Sequence, residues 1–151
     1  MTAVVISRAL TADLGWDNAV ELAKDFKAYK ADPENRYGDI FGRDKKFLFP
    51  DIVSRNALWH VHMEEPSVES DWQSHWDQQD PQYCFTSDKI LVYGKMENVS
   101  FTPYLLLTIL SPKGHALMAD IDGMKALGQE YEDEVFAYSA KLPTDKWVFE
   151  K

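Results

Sequence analysis

Residues 57–63, ALWHVHM, alternate strictly in character. Successive side chains of a β-strand point to opposite faces, so Trp59, Val61 and Met63 share one face and Leu58, His60 and His62 the other. The run reads as a strand with an apolar back and a more polar front. Two more strands follow, KILVYGK at 89–95 and YLLLTIL at 104–110. In the first, Ile90 and Val92 face one side; Lys89, Leu91, Tyr93 and Lys95 face the other. The second is apolar almost throughout, as a strand buried on both faces is. Three late, consecutive strands predict an antiparallel meander with helices packed on its apolar face. The fold class expected is α+β, with the opposite sheet face free as a working surface.

The flanking segments supply the helices. AVVISRA at 3–9 is short, β-branched and apolar and reads as a further strand. A helix then begins between Thr11 and Asp17, either of which is an N-cap type, with Gly15 weakening the earlier start. Trp16, Ala19, Ala23, Phe26 and Tyr29 form its buried stripe. Asp32-Pro33 ends it. A polar loop over 32–38 leads into DIFGRDKKFLFP at 39–50, anchored by Phe41, Phe47, Leu48 and Phe49. Pro112-Lys113-Gly114 turns the chain after the third late strand. A last helix begins near Asp120–Gly123 and runs through Met124, Leu127, Tyr131, Val135 and Phe136. Residues 1–151 are expected to form a single domain, with an acidic insertion at about 64–88 and a variable tail at about 139–151. The insertion reads as a long loop or hairpin arm, a length that points to a function or a partner surface.

Charge constrains the partners. The net charge is −9, awkward for a protein that meets nucleic acid. Residues 1–62 carry 9 basic and 9 acidic groups, whereas residues 63–88 carry 7 acidic and none basic. Most of the rest of the excess lies in the tail, so a local basic patch is compatible with the total. No run of 18 apolar residues exists, and the N-terminus has no basic leader before an apolar stretch. A cytosolic protein without membrane contact is expected. Cys84 is the only cysteine, which excludes an internal disulfide, and nothing beside it in the sequence marks an activated thiolate.

His60 and His62 are the first candidates for chemistry. Two imidazoles on one strand face can supply a base and an acid for moving a 2′-hydroxyl proton and protonating a leaving 5′-oxygen. The competing readings are a polar surface residue or a metal site completed by His75, His115 or nearby carboxylates. His115 lies just after a strand end, where a turn can swing it towards the open face; a capping role for it is the alternative. Tyr93 and Lys95 are placed on that same face, one to stack on a base and one to hold a phosphate. Arg36, Arg43, Lys45, Lys46 and Arg55 fall within twenty residues and suit phosphate binding. The alternative is a solvated loop whose charges pair with Asp39, Asp44 and Asp51.

These residues also carry a resemblance. Asp25-Phe26 and Tyr29-Lys30 lead to DIFGRD at 39–44, then Arg55, HVH at 60–62, LVY at 91–93 and LLLTIL at 105–110. Pro112, His115, Leu117, Asp120, Met124 and Gly128 follow in order. Over roughly residues 20–136 the chain resembles the YafO family of toxins. That resemblance implies a ribosome-dependent mRNA endonuclease held inactive by a cognate antitoxin. It also implies a small RelE-like α+β fold with a curved antiparallel sheet, and metal-independent 2′-hydroxyl attack without a cofactor. The catalytic set expected, His60, His62, His115 and Arg43, comes from residue chemistry and not from the family. Arg36, Lys45, Lys46, Arg55, Tyr93 and Lys95 are expected to bind RNA or the ribosome. The acidic segment departs from a minimal member; through Glu64, Glu65, Glu69, Asp71, Trp72 and Trp76 it would meet a basic antitoxin segment or ribosomal protein. A binding module of the same fold that no longer cuts RNA, and a metal-dependent hydrolase built on His60 and His62, are the other two readings.

Overall fold

The computed structural model describes residues 2–140 and 147–151. Among the described residues six strands form one curved, unclosed sheet: β1 (Val4–Ile6), β2 (Phe41–Lys46), β3 (Trp59–Met63), β4 (Ile90–Lys95), β5 (Tyr104–Leu110) and β6 (Val148–Glu150). Their spatial order is β2-β3-β4-β5-β1-β6. The meander β2–β3–β4–β5 is antiparallel, β1 joins β5 in parallel, and β6 closes against β1 antiparallel. The three expected late strands are present, and the mixed α+β class holds. The charged DIFGRDKK run adds an edge strand that its composition concealed.

Helices cover both faces of the sheet, not one. On the first face α1 (Arg8–Leu14) and α2 (Trp16–Ala31), which the short α3 (Pro33–Arg36) follows, pack Leu10, Ala19, Leu22, Ala23, Phe26 and Tyr29 onto Phe41, Val61, Met63, Leu91, Tyr93 and Leu106. On the second face α4 (Asp51–Arg55) and α7 (Ile121–Ser139) pack Val53, Met124, Leu127 and Tyr131 onto Leu58, Val92, Leu105 and Leu107. The expected open face is therefore largely covered. Gly94 shows how closely α7 approaches, since a Cβ there would sit 2.6 Å from the Tyr131 hydroxyl. The expected first helix is two helices, broken at Gly15, whose φ of 82° favours glycine. Its stripe holds from Ala19 to Tyr29, while Trp16 is exposed. Phe136 on α7 is likewise exposed.

The acidic segment is neither a loop nor a projecting arm. It forms a 3-10 turn, helix α5 (Glu69–Asp77) and a second 3-10 turn over Gln82–Cys84. Trp72 and Phe85 are buried and meet edge to face at 5.6 Å, and the Trp72 indole N–H donates to the Thr86 carbonyl at 2.9 Å. Phe85 lies so close over β2 that a Cβ on Gly42 would fall 2.2 Å from its carbonyl oxygen. Arg43 N–H donates to that same carbonyl at 2.8 Å. The glycine of DIFGRD is thus what lets the acidic segment seat on the sheet. Of the tail, residues 141–146 lie outside the described residues. Trp147 is buried, its indole N–H donating to Glu134 at 2.9 Å, and β6 is part of the sheet.

Candidate active site

β3 carries His60 and His62 onto the second sheet face, at the margin that α7 leaves uncovered. His62 is not outward-facing: it is only 3% exposed. Its Nδ1 lies 2.8 Å from the Ser87 N–H, which donates to it, and 2.9 Å from the Ser87 carbonyl. His60 is half-buried, its ring 4.4 Å from that of Phe47, and its Nδ1 is buried without a hydrogen-bond partner. Burial pushes both imidazoles down to a pKa of about 4; their mutual repulsion adds to this for His60. Both rings are therefore neutral near neutrality, so neither carries a proton ready to be donated as a general acid there.

His115 completes the row. Helix α6 (Gly114–Ala119) starts just after β5 and brings its ring to 5.2 Å from His62, which in turn is 6.4 Å from His60. The His115 side chain is 57% exposed. Asp88, the residue before Lys89 and β4, holds it twice: its Oδ1 accepts from the His115 backbone N–H at 2.8 Å and lies 2.9 Å from Nδ1. These bonds lower the Asp88 carboxyl below its ordinary value, the backbone bond most. With Nδ1–H directed at the carboxylate, Nε2 is the ring nitrogen left to act as a base. Residue chemistry placed His115 near this face; it missed Asp88, which is 27 residues away and carries no local signal.

Arg43 and Lys45 lie on the same side, Lys45 in register with His60, and the positive charge of Arg43 acts on both buried rings. Among the described residues no ion pair engages Arg43, Lys45 or Lys46. Their pairing with Asp39, Asp44 and Asp51 is thus not what the fold makes. Asp44 instead points to the first face, where it accepts from Tyr93 at 2.7 Å and Tyr29 at 2.8 Å and pairs with Lys30 at 3.0 Å. Gln82 extends this network by donating to the Tyr29 oxygen and to the Gly42 carbonyl, both at 2.8 Å. Tyr93 is therefore a buried structural residue on the face opposite the histidines, a correction to the shared face expected. Its register partner is Trp59, not a histidine. Burial and the Asp44 charge hold its hydroxyl far above the ordinary tyrosine range.

The remaining basic candidates disperse. Arg36 pairs with Asp39 at 3.8 Å, and Arg55 with Glu132 at 3.1 Å. Arg55 and Lys95 do share a groove of about 750 Å³ at one end of the sheet, with Lys30, Trp59, Tyr104 and Phe136. Trp59, expected in the core, is 38% exposed on its wall. The acidic candidates also divide. Trp72 is buried and Glu65 accepts from the Asp88 N–H at 2.8 Å, while Trp76 stays exposed beside a cleft lined also by Glu64 and Glu69. Among the described residues the ligand atoms of His60 and His62 are not gathered with a third metal ligand; those of His75, Asp80 and Cys84 are.

No helix of the described residues is long and apolar enough to cross a membrane. Neither the curated proteins nor the solved structures contain a match to the chain. The family model described as Toxin YafO, type II toxin-antitoxin system, matches residues 27–136. That span contains DIFGRD, both histidines of β3, the acidic segment, Asp88 and His115. The chain belongs to the YafO family of toxins, the toxin half of a type II toxin–antitoxin system whose partner is an antitoxin.

Proposed function

We propose that this toxin is a ribosome-dependent endoribonuclease that cuts mRNA with His115 as its general base. The observation that carries the reading is the exposed His115 ring, held by Asp88 at 2.9 Å and backed by His62. Asp88 fixes the tautomer, so His115 Nε2 takes the proton of the RNA 2′-hydroxyl. The freed 2′-oxygen attacks the adjacent phosphorus, the bond to the 5′-oxygen breaks, and the leaving oxygen takes a proton from solvent. The products are a 2′,3′-cyclic phosphate and a 5′-hydroxyl. Arg43 offsets the charge that builds on the phosphorane oxygens. His60 and His62, neutral and largely buried, act as positioning residues behind His115. No step uses a metal.

An acidic protein whose free cations are few has little means of orienting an RNA chain by itself. The ribosome supplies that orientation by presenting the message in the decoding region. Lys45 and Lys46, exposed and free of ion pairs among the described residues, are the contacts offered to ribosomal RNA.

The test is cleavage of mRNA on programmed ribosomes. His115→Ala should slow cutting by ~10²–10⁴-fold, the usual value of a positioned proton acceptor. Asp88→Asn should also lose rate, and the wild type should cut naked RNA poorly. Full-rate cutting by His115→Ala would sink the assignment. An absence of growth arrest on induction without the antitoxin would instead favour a non-catalytic binding module.

A further inference from the structure

We propose that His75, Asp80 and Cys84 form a binding site for a soft divalent cation of the zinc type. This does not depend on the nuclease reading. Nδ1 of His75, a carboxylate oxygen of Asp80 and Sγ of Cys84 all lie within 4.8 Å of one another. They come from three different local structures. His75 is on the last turn of α5, Asp80 follows the turn after it, and Cys84 closes the second 3-10 turn. All three are half-buried, so a cation reaches them without unfolding the segment. His75 Nδ1 and Asp80 Oδ2 sit 2.9 Å apart, joined by a hydrogen bond that an ion would replace. Bonds of ~2.0–2.3 Å to N, O and S need separations of roughly 3.3–3.8 Å, so small side-chain rotations that open the His75–Asp80 pair complete the set.

The donor set selects the ion. One imidazole, one carboxylate and one thiolate suit zinc, whereas calcium and magnesium want oxygen ligands throughout. On binding, His75 loses its Nδ1 proton to solvent and takes one up at Nε2, while the Cys84 S–H bond gives its proton to solvent and the sulfur coordinates as thiolate. Three protein ligands leave a fourth position. His75 and Cys84 line a cleft of about 300 Å³ that Ser87, Asp88 and His115 also line, and the fourth position opens to it.

The site also has a mechanical consequence. An ion there ties the end of α5 to the turn that carries Gln82, whose amide bonds Tyr29 and Gly42. It therefore clamps the acidic segment onto the sheet just ahead of Phe85 and Asp88. Binding energy at such a site is folding energy for the segment it joins.

Titration of the metal-free chain with Co²⁺ and then Zn²⁺ tests this. One equivalent of Co²⁺ should give a thiolate-to-cobalt charge-transfer band that Zn²⁺ displaces. Native mass spectrometry should count one zinc per chain, and zinc should raise the melting temperature and slow proteolysis within residues 69–85. Cys84→Ser should abolish the band, and His75→Ala and Asp80→Asn should each weaken binding at least tenfold. All three positions are half-exposed, so unchanged far-ultraviolet circular dichroism checks that the variants fold. His115→Ala should bind as the wild type does. Absence of stoichiometric binding overturns the site, as does binding that survives Cys84→Ser and His75→Ala or is lost in His115→Ala.

Discussion

Acidification should unfold this protein through His62, and the size of the effect follows from its burial. The ring is 3% exposed and its pKa is lowered from the usual 6.5 to about 4, chiefly by loss of solvent. A histidine depressed in the folded state is protonated first in the unfolded state. Its contribution is complete above the unfolded pKa and is lost as pH falls from about 6.5 towards 4. Near pH 5 the loss from His62 alone is about 2 kcal/mol, taking ~1.4 kcal/mol per pKa unit. His60, depressed for the same reason but more accessible, adds a smaller share. For a chain of this length each kcal/mol moves the melting temperature by roughly 2–4 °C, so the melt should fall by about 4–8 °C or more between neutral pH and pH 5. Burial raises the carboxyls of Asp25, Glu64 and Glu130, which gain stability on acidification and offset part of the loss, equally in wild type and variant. The assay is calorimetry of wild type and His62→Gln across the range. Glutamine keeps an acceptor for the Ser87 N–H but does not titrate, so the variant should start less stable and then lose about 2 kcal/mol less on acidification. Parallel pH profiles for the two proteins would refute the reasoning.

Other perturbations separate the two sheet faces. Trp72→Ala should cost roughly 3–5 kcal/mol in urea unfolding because its ring is buried against Phe85, whereas Trp59→Ala on the groove wall should cost less than about 1.5 kcal/mol; equal losses would contradict this packing. Asp44→Asn leaves Lys30 enclosed by rings without its counter-charge and should destabilise by roughly 2–4 kcal/mol, read from the same transition. A near-neutral result would show that solvent reaches Lys30. Ribosome association should weaken with salt, and Lys45→Ala with Lys46→Ala should reduce the log–log salt slope by ~1–2. An unchanged slope would move the ribosome contact elsewhere.

Period alone determined much of this protein. The alternation of ALWHVHM makes a strand and puts His60 and His62 on one face, as observed, because a strand repeats every two residues whatever surrounds it. The three-and-four spacing of Ala19, Ala23, Phe26 and Tyr29 likewise forced one face of α2 inward. What alternation does not encode is which face a helix will cover. Here α2 covers one and α7 the other, so His62 is buried while Trp59 is partly exposed, the reverse of what polarity suggested. Charge hid β2 in the same way, because Asp44 and Lys30 neutralise each other inside the fold. The Asp88–His115 pair and the His75–Asp80–Cys84 cluster depend on how separate segments dock. Gly42 admits Phe85 to the sheet, and that contact seats the acidic segment that carries Cys84 and leads to Asp88. Chemistry between residues brought together by docking is set by backbone approach distances, and those exist only once the chain has folded.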